Sequence, residues 1–549
     1  MAETGQQGHL TTSSTSSGLF VRNATGLVRG VSQKSAFVIN FIPGHPVELL
    51  AAGFFFVFAL WPGGNYLIGF VLVIPLVLAM SYSFGLLTSM IPRSGGDYMI
   101  VGRVIHPLAG LISSFCMTLA ELLSIAYFAV AFITIGVGPG LVTLGLVHHS
   151  ATLIHWGLVV QASKYWEFGL GAGMLVLSAA FLAGSWKLTL RLQNIFFWIV
   201  TGGLLAAVVV ALFTSNANFI ANFNHFVAPY THMKDTYQSI IAKAAKSGVN
   251  VHPAFSIIKS IPIAGFFATF TIYSFWSTFV GGELREGSSV KTAHNMAIAG
   301  LTCVAFAALF GAIFLRTFGT AFTIAVNAPT GGLPSQIVTA PTFFFLMAGS
   351  VGNYIFAILL VVTYLFFWPL SCYVGFLQPT RTLFAYAFDG ILPQKVTDVS
   401  RVGSPWVAVI VSWVLSALTL LWAVNNASFF QILTYATLIE LIAMGLVSLS
   451  GIVVPYLRPE IFRGATTQRR VFNVPLVVYA GVGGIITVVV VWIIFFHYAA
   501  QFGFTDSGKF FTFLFSTIGA AILFYFGVRF YKSRQGIDID LVYKEIPPE

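Results

Sequence analysis

The sequence predicts an all-α polytopic membrane protein of twelve helices, with both chain ends on one side of the membrane. Three observations lead there. Of 549 residues, 57% are hydrophobic and only 8% charged, where a soluble domain carries about 25% charged residues, and mean hydropathy is +0.88. Apolar runs long enough to cross a bilayer, about 20 residues each, fall near 35–61, 65–91, 107–137, 168–185, 188–213, 260–284, 295–323, 353–388, 405–424, 429–456, 473–499 and 509–531. These spans leave only Lys164, Lys234, Lys243, Lys246, Lys259, Arg316 and Lys509 on the side away from the N-terminus, out of 27 basic residues. Cytoplasmic loops collect Lys and Arg, so both termini are placed in the cytoplasm. The same asymmetry accounts for the net charge of +10, and no nucleic-acid partner is needed to explain it.

Residues 1–34 are rich in Ser, Thr and Gly, with no basic stretch leading into a short apolar core. They read as a disordered cytoplasmic tail, not a signal peptide. The first span carries Pro43, Gly44, His45 and Pro46 in its middle. Pro46 removes a helical donor and disfavours helical backbone at His45, while Gly44 adds freedom. Unwound backbone at membrane depth is tolerated only where it is buried in protein or lines a cavity. The break therefore marks a binding site, with Glu48 just beyond it.

Residues 138–167 and 214–259 read as long outer segments. His148, His149 and His155 in the first are expected to be loop histidines, with no metal bound. The stretch TYQSIIAKAAKSG in the second reads as a surface helix. Residues 324–352, with Gly331-Gly332-Leu333-Pro334, read as a re-entrant or lid segment. The sixth span is interrupted at Tyr273–Ser277 by small hydroxyl residues, and Gly281-Gly282 follows. Composition alone leaves a straight helix open, its Ser and Thr bonded to their own carbonyls. Position favours a break: this span begins a second set of five as the first span begins the first set. Paired interrupted spans at corresponding places point to an inverted-repeat transporter. Residues 35–213 and 260–456 are then the two five-helix repeats, 457–531 adds two helices, and 532–549 is a cytoplasmic tail.

Three stretches carry a family resemblance. IPRSGGDYMIVGRVIHPLAG (Ile91–Gly110) is similar to a Pro-x-Ser-Gly-Gly-x-Tyr segment, Ser274–Gly300 to a sixth helix with a trailing Glu, and Pro379–Gln394 to an Arg-x7-Asp-Gly-x-x-Pro motif. In this order they resemble the amino acid–polyamine–organocation superfamily, whose LeuT-type fold is a 5+5 inverted repeat, here with two additional C-terminal helices. Two departures stand out. The usual Gly-Ser/Ala-Gly break is Ile42-Pro43-Gly44-His45-Pro46, and Gly-Ser-Ser replaces the Asn-Pro that follows the helix 6 Glu. The resemblance implies symport or exchange of small amino-acid-like substrates at the plasma membrane by alternating access. A substrate carboxylate would meet the amides of His45, Val47 and Glu48, at the positive end of a half-helix. The carbonyls of Ile42, Pro43 and Gly44 would hold its ammonium. Tyr273, Ser274, Phe275, Trp276 and Ser277 would form the facing wall, with Trp276 or Phe275 as an aromatic gate; core or lipid packing is the other reading for either ring.

Glu48, Glu121 and Glu440 lie within spans. An ionised carboxylate at mid-membrane costs about 2.5–3.5 kcal/mol on insertion scales, and no Lys or Arg lies mid-span to pair with these three. Glu48 and Glu121 are the proton-coupling candidates, while Glu440 is assigned to gating or packing. His45 and Glu48 share a helical face, which allows either a simple hydrogen bond or a relay. A sodium site would draw on Ser371 and Thr363 beside Cys372, a thin set for a hard cation. Proton coupling, or none, is preferred. Arg93, Asp97, Arg103, Glu283, Arg285, Glu286 and Arg381 are expected to form inner-gate ion pairs or a solvated rim. Cys116, Cys303 and Cys372 suggest no disulfide framework and no metal. No catalytic constellation recurs at either face, so an enzyme is set aside and no cofactor is expected. The expected partners are a small-molecule substrate, an amino acid, with a possible co-transported proton and membrane lipid. A polyamine or organic-cation carrier and a transporter-like amino-acid sensor stand as alternatives.

Overall fold

Proline and glycine decide where the first membrane segment stops being helical. The computed structural model describes residues 26, 27, 29–328, 342–504 and 506–543. Ser32 caps α1 (Gln33–Phe41) by accepting from the Ser35 amide at 3.2 Å. A tight turn over Ile42–Gly44 follows, then His45 in left-handed backbone at φ 48°. That conformation costs a non-glycine residue about 1–2 kcal/mol, and Pro46 closes the right-handed alternative. The segment resumes as α2 (Pro46–Glu48), a wide turn at Leu49–Gly53, and α3 (Phe54–Leu60).

After α4 (Tyr66–Met90) and α5 (Gly96–Val104), α6 (Pro107–Ala131) runs through a wide turn at Phe132–Val137 into α7 (Gly138–Val147). Residues 138–147 are thus helical, not loop. The wide turn lets Pro139 sit at the start of α7, where its missing N–H is harmless. His148 and His149 lie in the following turn and His155 on α8 (Ala151–Ala162). Then come α9 (Lys164–Ala183), α10 (Trp186–Phe213), α11 (Asn216–Thr231) and α12 (Thr236–Lys246), so 214–259 holds two helices.

The second interrupted segment starts with α13 (Ser260–Thr271) and continues only in short tight turns at Trp276–Phe279 and Gly281–Glu283. Regular helix returns at α14 (Lys291–Phe318). Between α15 (Thr320–Val326) and α16 (Phe343–Val351), residues 329–341 of the expected lid lie outside the described residues, and its two ends fall in these helices and the residues beside them. The longest α-helix, α17 (Tyr354–Phe388), contains Pro369 and Pro379. The chain ends with α18 (Trp406–Ala423), α19 (Phe429–Leu457), α20 (Pro459–Gly464), the antiparallel pair β1 (Arg470–Val471) and β2 (Val474–Pro475), α21 (Leu476–His497), α22 (Ser507–Ser533) and α23 (Ile539–Val542). Among the described residues, ten helices are long and apolar enough to cross a membrane.

Neither end is wholly a loose tail. Val31 is buried and bonds through its backbone to Glu283 and Arg285, at 3.0 and 3.1 Å. Tyr543 is buried against Tyr98 and Arg103. Residues 1–25 and 544–549 lie outside the described residues. The described ends share one side of the bundle, which we call the terminal side.

Candidate functional site

The two interrupted segments meet at one cavity of about 500 Å³. Ile42, Pro43, His45 and Glu48 line it from the first, and Thr269, Phe270, Tyr273 and Trp276 from the second. Glu121, Ser124 and Tyr127 enter from α6, Ser371 and Gly375 from α17, and Thr437 and Glu440 from α19. Among the described lining residues there are three carboxylates and neither Lys nor Arg.

The acids stand at two levels. Tyr127 OH donates to Glu48 Oε1. His45 Nδ1 lies 3.3 Å from Glu48 Oε2 but lacks the alignment of a hydrogen bond. Six positions earlier on α6, about 9 Å along the helix axis, Glu121 Oε1 lies over Gly375. A Cβ on that glycine would sit 2.4 Å from it. At this lower level Tyr273 OH donates to Glu440 Oε2 at 3.0 Å. Glu440 Oε1 and Ser371 Oγ are buried with no hydrogen-bond partner among the described residues. Glu440, which the sequence reading assigned to gating or packing, is part of the cavity wall. Its membership in the set of three intramembrane acids was the signal that pointed to it.

Several expected wall residues face elsewhere. The Gly44 carbonyl accepts from Cys303 Sγ at 3.1 Å, and a Cβ on Gly44 would lie 2.7 Å from that sulfur, so this glycine faces α14. The His45 amide donates to Ile42 O at 2.8 Å and is not free to meet a carboxylate. Val47 is buried and does not line the cavity. Phe275 stacks on Phe84 at 3.7 Å between ring centres, away from the cavity. Trp276 lines the cavity instead, and its Nε1 donates to Val374 O at 3.0 Å. Ser274 Oγ bonds back to Thr271 O at 3.4 Å, and the Ser277 amide donates to Asn40 Oδ1 at 2.8 Å. Thr363 bonds to Leu359 O and packs against Gly203 of α10. It does not join Ser371, so the proposed sodium ligands are not brought together.

Toward the terminal side the bundle is tied by buried ion pairs. Arg381 grips Glu283 with two bonds of 3.0 Å, and both side chains are 1% exposed. Arg103 Nη2 lies 2.6 Å from Asp389, whose carboxylate also accepts from Tyr98 OH at 2.7 Å. Tyr98 OH meets Tyr543 OH at 2.8 Å, and the Arg103 guanidinium lies 4.8 Å from the Tyr543 ring centre. Asp97 takes no basic partner among the described residues; it accepts from Ser113 Oγ at 2.6 Å. Burial pushes its carboxyl up to about 7, against the lowering effect of that bond. Arg93 Nη1 donates to Pro92 O. Arg285 is exposed, and Glu286 pairs with Lys291 at the surface, 2.9 Å away. Neither Asp389 nor Tyr543 has a partner legible in the sequence, although Asp389 stands in the third motif.

A polytopic helical bundle whose two broken segments meet at a solute-sized, acid-lined cavity defines the class: a multi-pass membrane protein with a cavity among its helices. The chain belongs to the amino acid permease family, whose sequence pattern it matches over residues 30–527. No curated protein matches it. Family and membrane-length helices together support a transporter.

Proposed function

We propose that the protein is a secondary active transporter that moves amino acids or closely related amines across the plasma membrane by alternating access. The observation that carries this reading is the meeting of both interrupted segments at one cavity, with buried ion pairs on one side of it. In this reading the ten long helices and the two interrupted segments make twelve crossings, arranged as a 5+5 inverted repeat with two further helices. Both termini are cytoplasmic. Arg381–Glu283 and Arg103–Asp389 are the inner gate. Glu48 and Glu121 carry the coupled proton, since both line the cavity and neither meets a Lys or Arg among its described lining residues.

Uptake of a mixed radiolabelled amino-acid panel into proteoliposomes, with and without an inward proton gradient, tests the proposal. Gradient-driven accumulation that disappears in Glu48→Gln or Glu121→Gln is the expected result. Exchange indifferent to the gradient overturns the coupling. No flux of any solute through intact protein overturns transport and favours a sensor.

A further inference from the structure

We infer that the hairpin between α20 and α21 docks on anionic phospholipid headgroups of the membrane leaflet at the terminal side, with Phe472 set into that leaflet. This surface is independent of the solute that the protein carries.

The hairpin is short and its backbone is fixed. β1 and β2 pair Arg470 with Pro475 and Val471 with Val474, which leaves Phe472 and Asn473 as a two-residue turn. Both have positive φ, 46° and 65°, as a tight hairpin turn of this length requires. Asparagine tolerates that backbone, whereas a bulky residue adopts it only at a cost. The Phe472 ring gains no packing in return, since it is 92% exposed. A strained apolar residue that touches so little of its own protein points to a use outside the chain.

Neighbouring contacts set the height of this tip in the membrane. On α21, Tyr479, Val482, Ile486, Val489 and Ile493 are exposed at intervals of three and four residues, which is one face of a helix. The opposite face, with Gly481 and Gly484, packs on Ser448 of α19 and Ser83 of α4. An exposed apolar stripe on a membrane-length helix faces lipid. Tyr479 begins that stripe, and its OH donates to Val471 O at 3.3 Å, so β1 lies at the start of the lipid-facing surface. Leu476, the first residue of α21, is only about 4.5 Å along the axis from Tyr479. Phe472 therefore stands where hydrocarbon gives way to headgroups, the level at which aromatic side chains collect. The protein holds the hairpin there: Thr467 is buried with its Oγ1 3.1 Å from Ser89 Oγ, and the Leu476 amide donates to Arg469 O at 2.8 Å.

Charge selects the lipid. Arg458, Arg463, Arg469 and Arg470 lead into the turn, and Glu460 is the one acid over residues 458–475. Arg458 lies 3.9 Å from Glu460. Arg463, Arg469 and Arg470 are exposed, with no ion pair among the described residues. A guanidinium meets a phosphate with two parallel hydrogen bonds. Topology asks for positive charge on this side, but not for guanidinium groups fixed beside a strained aromatic tip. In the topology proposed above this is the cytoplasmic leaflet, the one that carries anionic lipid.

The test places a reporter at the tip of the full chain in nanodiscs. With Cys116, Cys303 and Cys372 replaced by Ala, Phe472→Cys is labelled with an aromatic fluorophore, and brominated phosphatidylserine or brominated phosphatidylcholine is the quencher. A basic residue near a charged membrane surface is worth about fivefold in affinity, so Arg469 and Arg470 together give roughly 25-fold. The lipid fraction that half-quenches the probe should be at least tenfold lower for phosphatidylserine than for phosphatidylcholine. Arg469→Gln with Arg470→Gln should bring the two lipids within threefold of each other. Because the cysteine replacements are buried, native mass spectrometry of the protein with its own cysteines gives a second reading: the double arginine variant should retain at least one phosphatidylserine fewer than wild type. Quenching by neither lipid, equal quenching by both, or a preference that survives loss of both arginines overturns the inference. So does an unchanged phosphatidylserine count, or displacement of the lipid by water-soluble glycerophosphoserine, which would mark a free-phosphate site instead.

Discussion

Removing one half of the Arg381–Glu283 pair should open the terminal side of the bundle. Both side chains are 1% exposed and joined by two 3.0 Å bonds, so Glu283→Gln leaves a guanidinium buried without its counter-charge. Breaking a buried pair in this way costs the structure that contains it about 3–5 kcal/mol. If a conformation exists in which Arg381 reaches water, the cost falls only on the sealed conformation. At about 1.4 kcal/mol per factor of ten, the opened population rises from roughly a hundredfold to a few thousandfold, until it saturates. Cys116 offers an endogenous reporter. It is fully buried on α6, three positions after the Ser113 that bonds Asp97, and lies within electrostatic reach of both Asp97 and Glu440. With Cys303 and Cys372 replaced by Ala, the rate of maleimide labelling at Cys116 follows the opened fraction. Glu283→Gln should accelerate labelling by at least two orders of magnitude, on the factors above. An unchanged rate, in protein that remains monodisperse on size exclusion, would refute the assignment of this pair as a seal.

Asp97→Asn should flatten the pH dependence of stability. The folded carboxyl sits at about 7 against an ordinary value of 3.8, so the native state holds a proton that the unfolded chain releases. Stability therefore falls as pH rises through that window, by about 4 kcal/mol in total. The melting temperature of the variant should exceed that of wild type increasingly toward pH 7 and by a constant margin above it. Gly203→Ala drives a Cβ to 1.6 Å from Thr363 Oγ1, whereas Gly202→Ala meets nothing within 4 Å. The first should cost about 1–3 kcal/mol and the second should leave the melting temperature unchanged. Tyr543→Phe removes only the bond to Tyr98, about 1 kcal/mol. Tyr543→Ala also removes the ring beside Arg103, about 3 kcal/mol, and Cys116 labelling should accelerate in that order.

The break at Ile42–His45 was legible because proline and glycine act through the local backbone, and local backbone is what a sequence states most directly. The second break was legible only by its position in the order of spans, since Tyr273–Ser277 contains nothing that forbids a helix. Helix α7 was missed because Gly138-Pro139-Gly140 reads as a stop, yet a proline at a helix start needs no donor. The partners within the buried pairs were illegible. Glu283 and Arg381 were both singled out, but several basic residues competed for each acid, and only packing selects among them. Gly44 and Phe275 illustrate a further limit. Once a helix unwinds, spacing no longer fixes which neighbour enters the cavity and which turns into the core. Tyr543 looked like part of a polar tail because one aromatic residue gives no periodicity to read.

Helix α17 touches both ends of the problem. Ser371 and Gly375 belong to the cavity wall and Arg381 to an ion pair, all on this one helix, and Asp389, in the other ion pair, caps its C-terminal end. A solute that shifts the ion pairs through this helix is bound by a reciprocity: whatever factor it imposes on their opening, their opening must impose on its affinity. Variants such as Glu283→Gln, which touch no solute, therefore become a gauge of how much binding energy reaches the far end of α17. Equal factors in the two directions would measure that coupling in a single number.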